Sequence, residues 1–194
     1  MLEVLQGHYL NIGMTVVMMG GIPTSGKSTI VRRVIKGLDS PDLVEPMTLF
    51  PCQRHGDILI VGRYPDGQMF GGTDRLSYGS ISHFSDFILQ EYPKHRHIII
   101  EGDRFFTMKN IEWLVSQQCR SRVYVLQISA ETEQKRHYYR KDTQTEKWLK
   151  GRRTQIQNFL TNLVLMEHLK VRSTESCEDT QNVVGEIQEL LSLS

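Results

Sequence analysis

Gly21-Ile-Pro-Thr-Ser-Gly26-Lys27-Ser28 sets two glycines, a lysine and a hydroxyl at the spacing G-x-x-x-x-G-K-S. That is the pattern of a loop whose backbone N–H groups wrap a chain of phosphates. Glycine lets the main chain turn inward around an anion, and a helix that follows adds its positive end. In such a loop Gly21, Thr24, Ser25 and Gly26 form the wrap. Lys27 neutralises the β- and γ-phosphates, Ser28 supplies an oxygen to Mg²⁺, and Thr29 reaches the α-phosphate. The expected ligand is a nucleoside triphosphate with Mg²⁺. The same letters could arise in a glycine-rich turn with an incidental Lys-Ser, so the flanking elements decide.

Both flanks fit. Thr15-Val-Val-Met-Met19 is a short β-rich run, and Ser28 to Lys36 carries apolar residues at Ile30, Val31, Val34 and Ile35, a helical spacing. A second apolar run, His97-Ile-Ile-Ile, ends in Glu101-Gly-Asp103-Arg104. A buried parallel strand delivers carboxylates in this way to the carboxyl edge of a sheet, where a phosphate loop also lies. Glu101 is therefore placed for the magnesium or its waters, and Arg104 for a phosphate.

Two further stretches carry candidate chemistry. Gly71-Gly-Thr73-Asp74-Arg75 puts a carboxylate and a guanidinium on a loop that can approach a ligand closely. It reads equally as a solvated turn with a helix cap at Thr73 or Asp74. From Glu131 to Arg153 the chain holds eight of its 23 Lys and Arg, interleaved with Tyr138, Tyr139, Trp148 and His137. Arg136 and Arg140, one helical turn apart, can close over a triphosphate as a lid. Trp148, Arg152 and Arg153 can meet a nucleic-acid backbone with the aromatic free to stack. A solvated helical face with i,i+4 ion pairs is the plainer reading of the same window.

The remaining elements position these groups. Asp57–Tyr64, a Pro65-Asp66-Gly67 turn and Gln68–Phe70 predict a β-hairpin. Helices are expected over about 79–92, 108–118 and 153–169, the last with Ile156, Phe159, Leu160, Leu163 and Met166 inward. A partly exposed strand covers 122–128 and a closing strand 169–174. A final helix, capped by Ser176 or Asp179, turns Val183, Ile187, Leu190 and Leu191 to the core. Strands alternating with helices around a phosphate loop predict a three-layer α/β fold with a mostly parallel sheet and an added hairpin. One domain over residues 14–194 is expected. Met1-Leu-Glu-Val-Leu-Gln-Gly7 looks like an engineered cleavage-site remnant, with a short native tail as the alternative, and residues 1–13 are left out of the functional reading.

Composition narrows the field without choosing a substrate. A net charge of +1 gives no global field for nucleic acid, so any such site is a local patch. The cysteines at 52, 119 and 177 are too scattered for a metal cluster or a disulfide framework, which suits a reducing cytoplasm. No apolar run reaches the ~18 residues of a membrane span.

Taken together, Gly71-Gly-Thr-Asp74-Arg75-Leu-Ser77, Glu101-Gly-Asp103-Arg104-Phe and Trp148-Leu-Lys-Gly151-Arg152-Arg153-Thr154 resemble a set of bacteriophage P-loop kinases. Those enzymes phosphorylate the hydroxymethyl group of 5-hydroxymethyluracil within DNA. The resemblance covers roughly residues 14–190 and departs from the broader kinase pattern at Glu101, where related kinases often have Asp. It implies ATP and Mg²⁺ as cosubstrate and metal, and DNA with a modified thymine as partner. It also implies Lys27, Arg136 and Arg140 around the transferred group, with Asp74, or else Asp103, taking the acceptor's proton. Thr73, Asp74, Arg75, Arg104, Trp148, Arg152 and Arg153 would then face the acceptor. A kinase of a free nucleoside, nucleotide or polynucleotide end, and an ATP-dependent switch that transfers nothing, are the competing readings.

Overall fold

The structure, a computed structural model, describes residues 14–65, 71–141 and 144–192. Its centre is β1 (Thr15–Gly21), every residue of which is buried. It lies between β5 (His97–Glu101) and β6 (Ser121–Gln127), and both pairings are parallel. A strand covered at both edges and on both faces has no polar side to keep, which is why it reads as a continuous apolar run. The sheet extends outward to β7 (Leu169–Ser173) beyond β6. On the other side it extends through β4 (Ile58–Val61), β3 (Cys52–His55) and β2 (Asp42–Val44). The order is β2-β3-β4-β5-β1-β6-β7, with β4, β5, β1, β6 and β7 mutually parallel.

Alternation along the strands separates two cores. Val16, Met18, Leu59, Ile98, Ile100 and Val123 face α2 (Phe84–Glu91), α3 (Met108–Ser116) and α5 (Glu146–Thr161). Val17, Met19, Ile60, Ile99 and Leu126 face α1 (Lys27–Ile35) and α6 (Cys177–Ser192). The result is the expected three-layer α/β arrangement around a mostly parallel sheet. The first layer is fastened by aromatics, with Phe50 stacked on Phe87 at 4.3 Å between centroids. The remaining helix, α4 (Ala130–Arg140), follows β6.

Polar caps set several helix starts: Thr107, Ser129 and Thr145 each accept a backbone N–H from the first turn of α3, α4 and α5. At α6, Ser176 and Asp179 bond reciprocally at 2.9 and 3.0 Å, so both expected caps act as one capping box. No side chain caps α1, whose start is left to the phosphate loop.

Local detail differs from expectation at several points. β4 ladders antiparallel with the preceding β3 across Gly56-Asp57, a turn between His55 and Ile58 that the sequence reading did not single out; Asp66 and Gly67 of the expected turn lie outside the described residues. Gly56 takes φ 59°, which a tight two-residue hairpin requires. Downstream, an antiparallel bridge joins Arg63 to Gly72, and the expected strand Gln68–Phe70 lies outside the described residues. The basic window is carried by α4 and the start of α5, each with its own N-cap. The predicted helix over 153–169 begins earlier and stops at Thr161, leaving Leu163 84% exposed where core packing was expected. β6 is more buried than its alternation suggested, because β1 and β7 flank it.

Candidate phosphate-binding and phosphoryl-transfer site

β1 ends at Gly21 and α1 begins at Lys27, so the loop between them sits at the carboxyl edge of the sheet's central strand. Gly26 takes φ 91°, and a Cβ there would meet nothing within 4 Å, so the backbone at this point is open to an incoming group. Lys27 Nζ donates to the carbonyls of Gly21 (2.9 Å) and Ile22 (3.1 Å) and lies 3.8 Å from the Asp103 carboxylate. The loop is tied from outside as well. Thr174 Oγ1 donates to the Ser25 carbonyl at 2.7 Å, and Arg136 donates to the carbonyls of Thr24, Thr174 and Glu175.

Beneath the loop, Glu101 Oε1 accepts from Ser28 Oγ and from Tyr64 Oη, each at 3.0 Å. Its second oxygen is buried with no partner. Burial first, then the charge of Asp74, raises the Glu101 carboxyl to about 7. Burial also raises the Tyr64 hydroxyl well above its usual value, so it stays protonated and donates. Gly72 makes this packing possible, since a Cβ there would sit 2.2 Å from Glu101 Oε1. A hydroxyl and a half-satisfied buried carboxylate beside a phosphate loop are hard oxygen donors of the kind Mg²⁺ uses, with phosphate and water completing its shell. Among the described residues no cluster of three or more His, Cys, Asp or Glu offers a protein-only metal cage. The donor set fits Mg²⁺ carried in with a nucleotide.

The raised carboxyl has a measurable consequence. Glu101 ordinarily titrates near 4.5 and here near 7. Its neutral form is therefore favoured by the fold, and that contribution is lost as pH rises through this interval. In Glu101→Gln, Oε1 can still accept from Ser28 and Tyr64. In Mg²⁺-free buffer without nucleotide, this variant should match the wild type at about pH 4 and gain on it by up to about 3 kcal/mol near pH 8. Urea unfolding at the two pH values reads the difference. A gap that stays constant between them would contradict the assignment.

A cavity of about 840 Å³ opens above these groups. Of the sequence-predicted residues, Thr24, Gly26, Lys27, Ser28 and Thr29 of the loop and first helical turn line it, and so do Asp74, Asp103 and Arg104. Arg136, Arg140, Trp148 and Arg152 also line it. Arg104 is clamped by the carbonyls of Thr73 (2.9 Å) and Asp74 (3.0 Å) and stacks over Tyr78. Arg152 lies 3.6 Å from Asp103 and stacks over Trp148. Asp74 Oδ1 lies close to Gly102. Desolvation in the cleft, then the charge of Asp103, raises the Asp74 carboxyl above its ordinary value.

Other predicted residues stand elsewhere. Thr73 is buried and donates to the Glu101 carbonyl at 2.5 Å, so it fixes the loop to the strand end instead of capping a helix. Ser25 is buried behind the wrap, and Gly21 supplies its carbonyl to Lys27. Arg75 is outside the cavity lining. So is Arg153, which pairs with Glu133 (3.0 Å) and Glu146 (2.8 Å) and braces α4 against α5. Arg136 reaches the cavity, but three of its hydrogen bonds go to carbonyls, which makes it first a strut of the loop.

Sequence reasoning missed Tyr64, Arg32, Tyr78 and Tyr139. Tyr64 follows β4, whose parallel partner β5 ends at Glu101. Knowing that adjacency would have revealed it; the local sequence does not. Arg32 lies within 5.9 Å of the Tyr64 ring and donates to the Pro65 carbonyl. Tyr78 and Tyr139 are each 81% exposed, an unusual state for two large aromatics that line one cavity.

Among the described residues no helix is long and apolar enough to cross a membrane. No protein-family model matches the chain, and no curated protein does. Among solved structures, the chain is similar to a gluconokinase from Sinorhizobium meliloti 1021. The identity is 13% and the TM-score 0.45, with 93% of this chain and 97% of that one covered, a distant likeness.

Proposed function

We propose that this chain transfers the γ-phosphoryl group of ATP to a primary alcohol, and that the alcohol is the hydroxymethyl group of 5-hydroxymethyluracil in DNA. The observation that carries the first part is the convergence on one cavity of the loop lysine, Ser28 and the carboxylates of Asp74 and Asp103, with Glu101 bonded beneath Ser28. A binding or switch protein needs the loop, but has no use for Asp74 in the same cavity with a raised carboxyl.

Lys27, held at the loop's own carbonyls, offsets negative charge that builds up on the phosphates as the bond to the leaving oxygen breaks. Ser28 and Glu101 would hold Mg²⁺, which would supply positive charge to offset the charge of the phosphates. Arg140 and Arg152 border the cavity and keep water from competing with the acceptor. Asp74 takes the hydroxyl proton while the acceptor oxygen forms its new bond to phosphorus, and ADP departs.

The DNA-base part is supported by the three sequence motifs and by the acceptor side's character. Two arginine-backed aromatics, Tyr78 at 4.3 Å from Arg104 and Trp148 at 5.3 Å from Arg152, suit a planar base attached to phosphates. A base within a duplex must be flipped or unpaired to enter.

The experiment is transfer from γ-labelled ATP to DNAs that differ only at the thymine 5-position, alongside free nucleosides and nucleotides. Label on hydroxymethyl DNA alone is expected. Label on a free nucleotide or a polynucleotide end would replace the acceptor while keeping the chemistry. Label released only as inorganic phosphate would overturn phosphoryl transfer itself.

A further inference from the structure

A second cleft, of about 430 Å³, lies along α5 and is lined by Thr145, Lys147, Trp148, Gly151, Arg152 and Gln155. Three of these, Trp148, Arg152 and Gln155, also border the main cavity, so the two spaces share one wall. Positions 147, 148, 151, 152 and 155 fall on one helical face. That face carries two cations and an indole. Lys147 is exposed, Arg152 is half-buried, and the Arg152 guanidinium lies 5.3 Å from the Trp148 ring centroid.

Gly151 is the informative residue. It is exposed within a 16-residue helix, and a Cβ added there would meet nothing within 4 Å. Glycine in a helix interior is unfavourable relative to alanine, and nothing inside the protein requires it here. Its bare backbone lines the cleft together with Lys147 and Arg152. Gly185, in α6, is a second exposed helical glycine with open space around it, and it borders neither cavity.

We infer that this face of α5 is the track for a single DNA strand leaving the main cavity. A phosphate lies between Lys147 and Arg152, a base neighbouring the reacting one stacks on Trp148, and the sugar-phosphate chain passes over Gly151 at a distance only a missing side chain allows. The inference rests on the DNA-acceptor reading. It adds the path, the strandedness and the residues that recognise the polymer apart from its reacting base.

The test reads binding, without ATP or turnover, as the fluorescence anisotropy of a labelled single-stranded oligonucleotide of about ten nucleotides. Gly151→Leu should weaken binding about tenfold. Gly151→Ala should weaken it about threefold while raising Tm by about 2–4 °C, since the helix gains a better former. Gly185→Ala should raise Tm similarly and leave Kd unchanged. Lys147→Gln should reduce the slope of log Kd against log salt by about 0.7, the loss of one phosphate contact on a single strand. Binding by Gly151→Ala and Gly151→Leu within error of wild type, with an unaltered slope for Lys147→Gln, would overturn the track. So would tight binding to duplex alone. Normal strand binding through α5 without any labelled acceptor would instead sink the transfer reading. Label on a hydroxymethyl nucleoside with α5 variants indistinguishable in DNA binding would sink the track alone.

Discussion

Lys27→Ala is expected to lose phosphoryl transfer by about 10³-fold or more while the protein stays folded. The lysine ammonium is nearly buried, donates to the carbonyls of Gly21 and Ile22, and lies 3.8 Å from Asp103. It is the cation nearest the first turn of α1, where a phosphate chain would accept the open N–H groups of the loop. Alanine removes the charge that must meet developing negative charge in transfer, and leaves two carbonyls and a carboxylate facing the same space. Part of the loss therefore falls on nucleotide binding and part on the transfer step, and initial rates at saturating ATP separate the two. Lys27→Arg should not restore activity, because a planar five-donor fork does not fit the compact buried position that an ammonium fills. Full-speed transfer by Lys27→Ala would remove the phosphate-loop reading and every acceptor argument built on it.

The parts of this site that were legible in sequence are those fixed by short range. G-x-x-x-x-G-K-S between a buried strand and an amphipathic helix places Lys27 and Ser28 by backbone geometry alone. An apolar run ending in Glu101-Gly-Asp103-Arg104 announces a strand delivering acids to the sheet edge, and β5 does this beside β1. What stayed hidden depends on contacts between distant segments. Tyr64 meets Glu101 across 37 positions, and Gly72 is needed because both fill the space its Cβ would occupy. Arg153 and Arg152 are neighbours in sequence, yet one braces two helices and the other lines the cavity. A count of basic residues cannot make that distinction, because one helical step rotates the side chain by about 100°. The Gly56-Asp57 turn went unseen for a related reason: Pro-Asp-Gly is the stronger local turn signal, whereas β3 and β4 are matched by register across Gly56-Asp57. Leu163 and Met166 misled because Asn162 stops α5 and takes the following residues out of its helical period.

Asp74→Asn should lower turnover by about 10²–10⁴-fold with ATP binding retained, the range for loss of a positioned general base. The two aspartates of the cavity differ in surroundings. Asp103 is held between Lys27 at 3.8 Å and Arg152 at 3.6 Å, which makes it a holder of cations. Asp74 packs near Gly102, and desolvation followed by the repulsion of Asp103 raises its carboxyl, against the opposing pull of Lys27, Arg104 and Arg152. A raised carboxylate binds a proton more strongly and so is the better acceptor for the alcohol. The acting form is the ionised one, so wild-type turnover should fall as pH drops through the raised Asp74 value. The residual activity of Asp74→Asn should lack that limb. Asp103→Asn supplies the contrast: removing the repelling charge lets Asp74 ionise at lower pH, and the acid limb should move down with it. If Asp74→Asn turns over at a near-normal rate while Asp103→Asn is inactive, the two residues exchange roles, and the proton goes to the carboxylate that Lys27 and Arg152 hold.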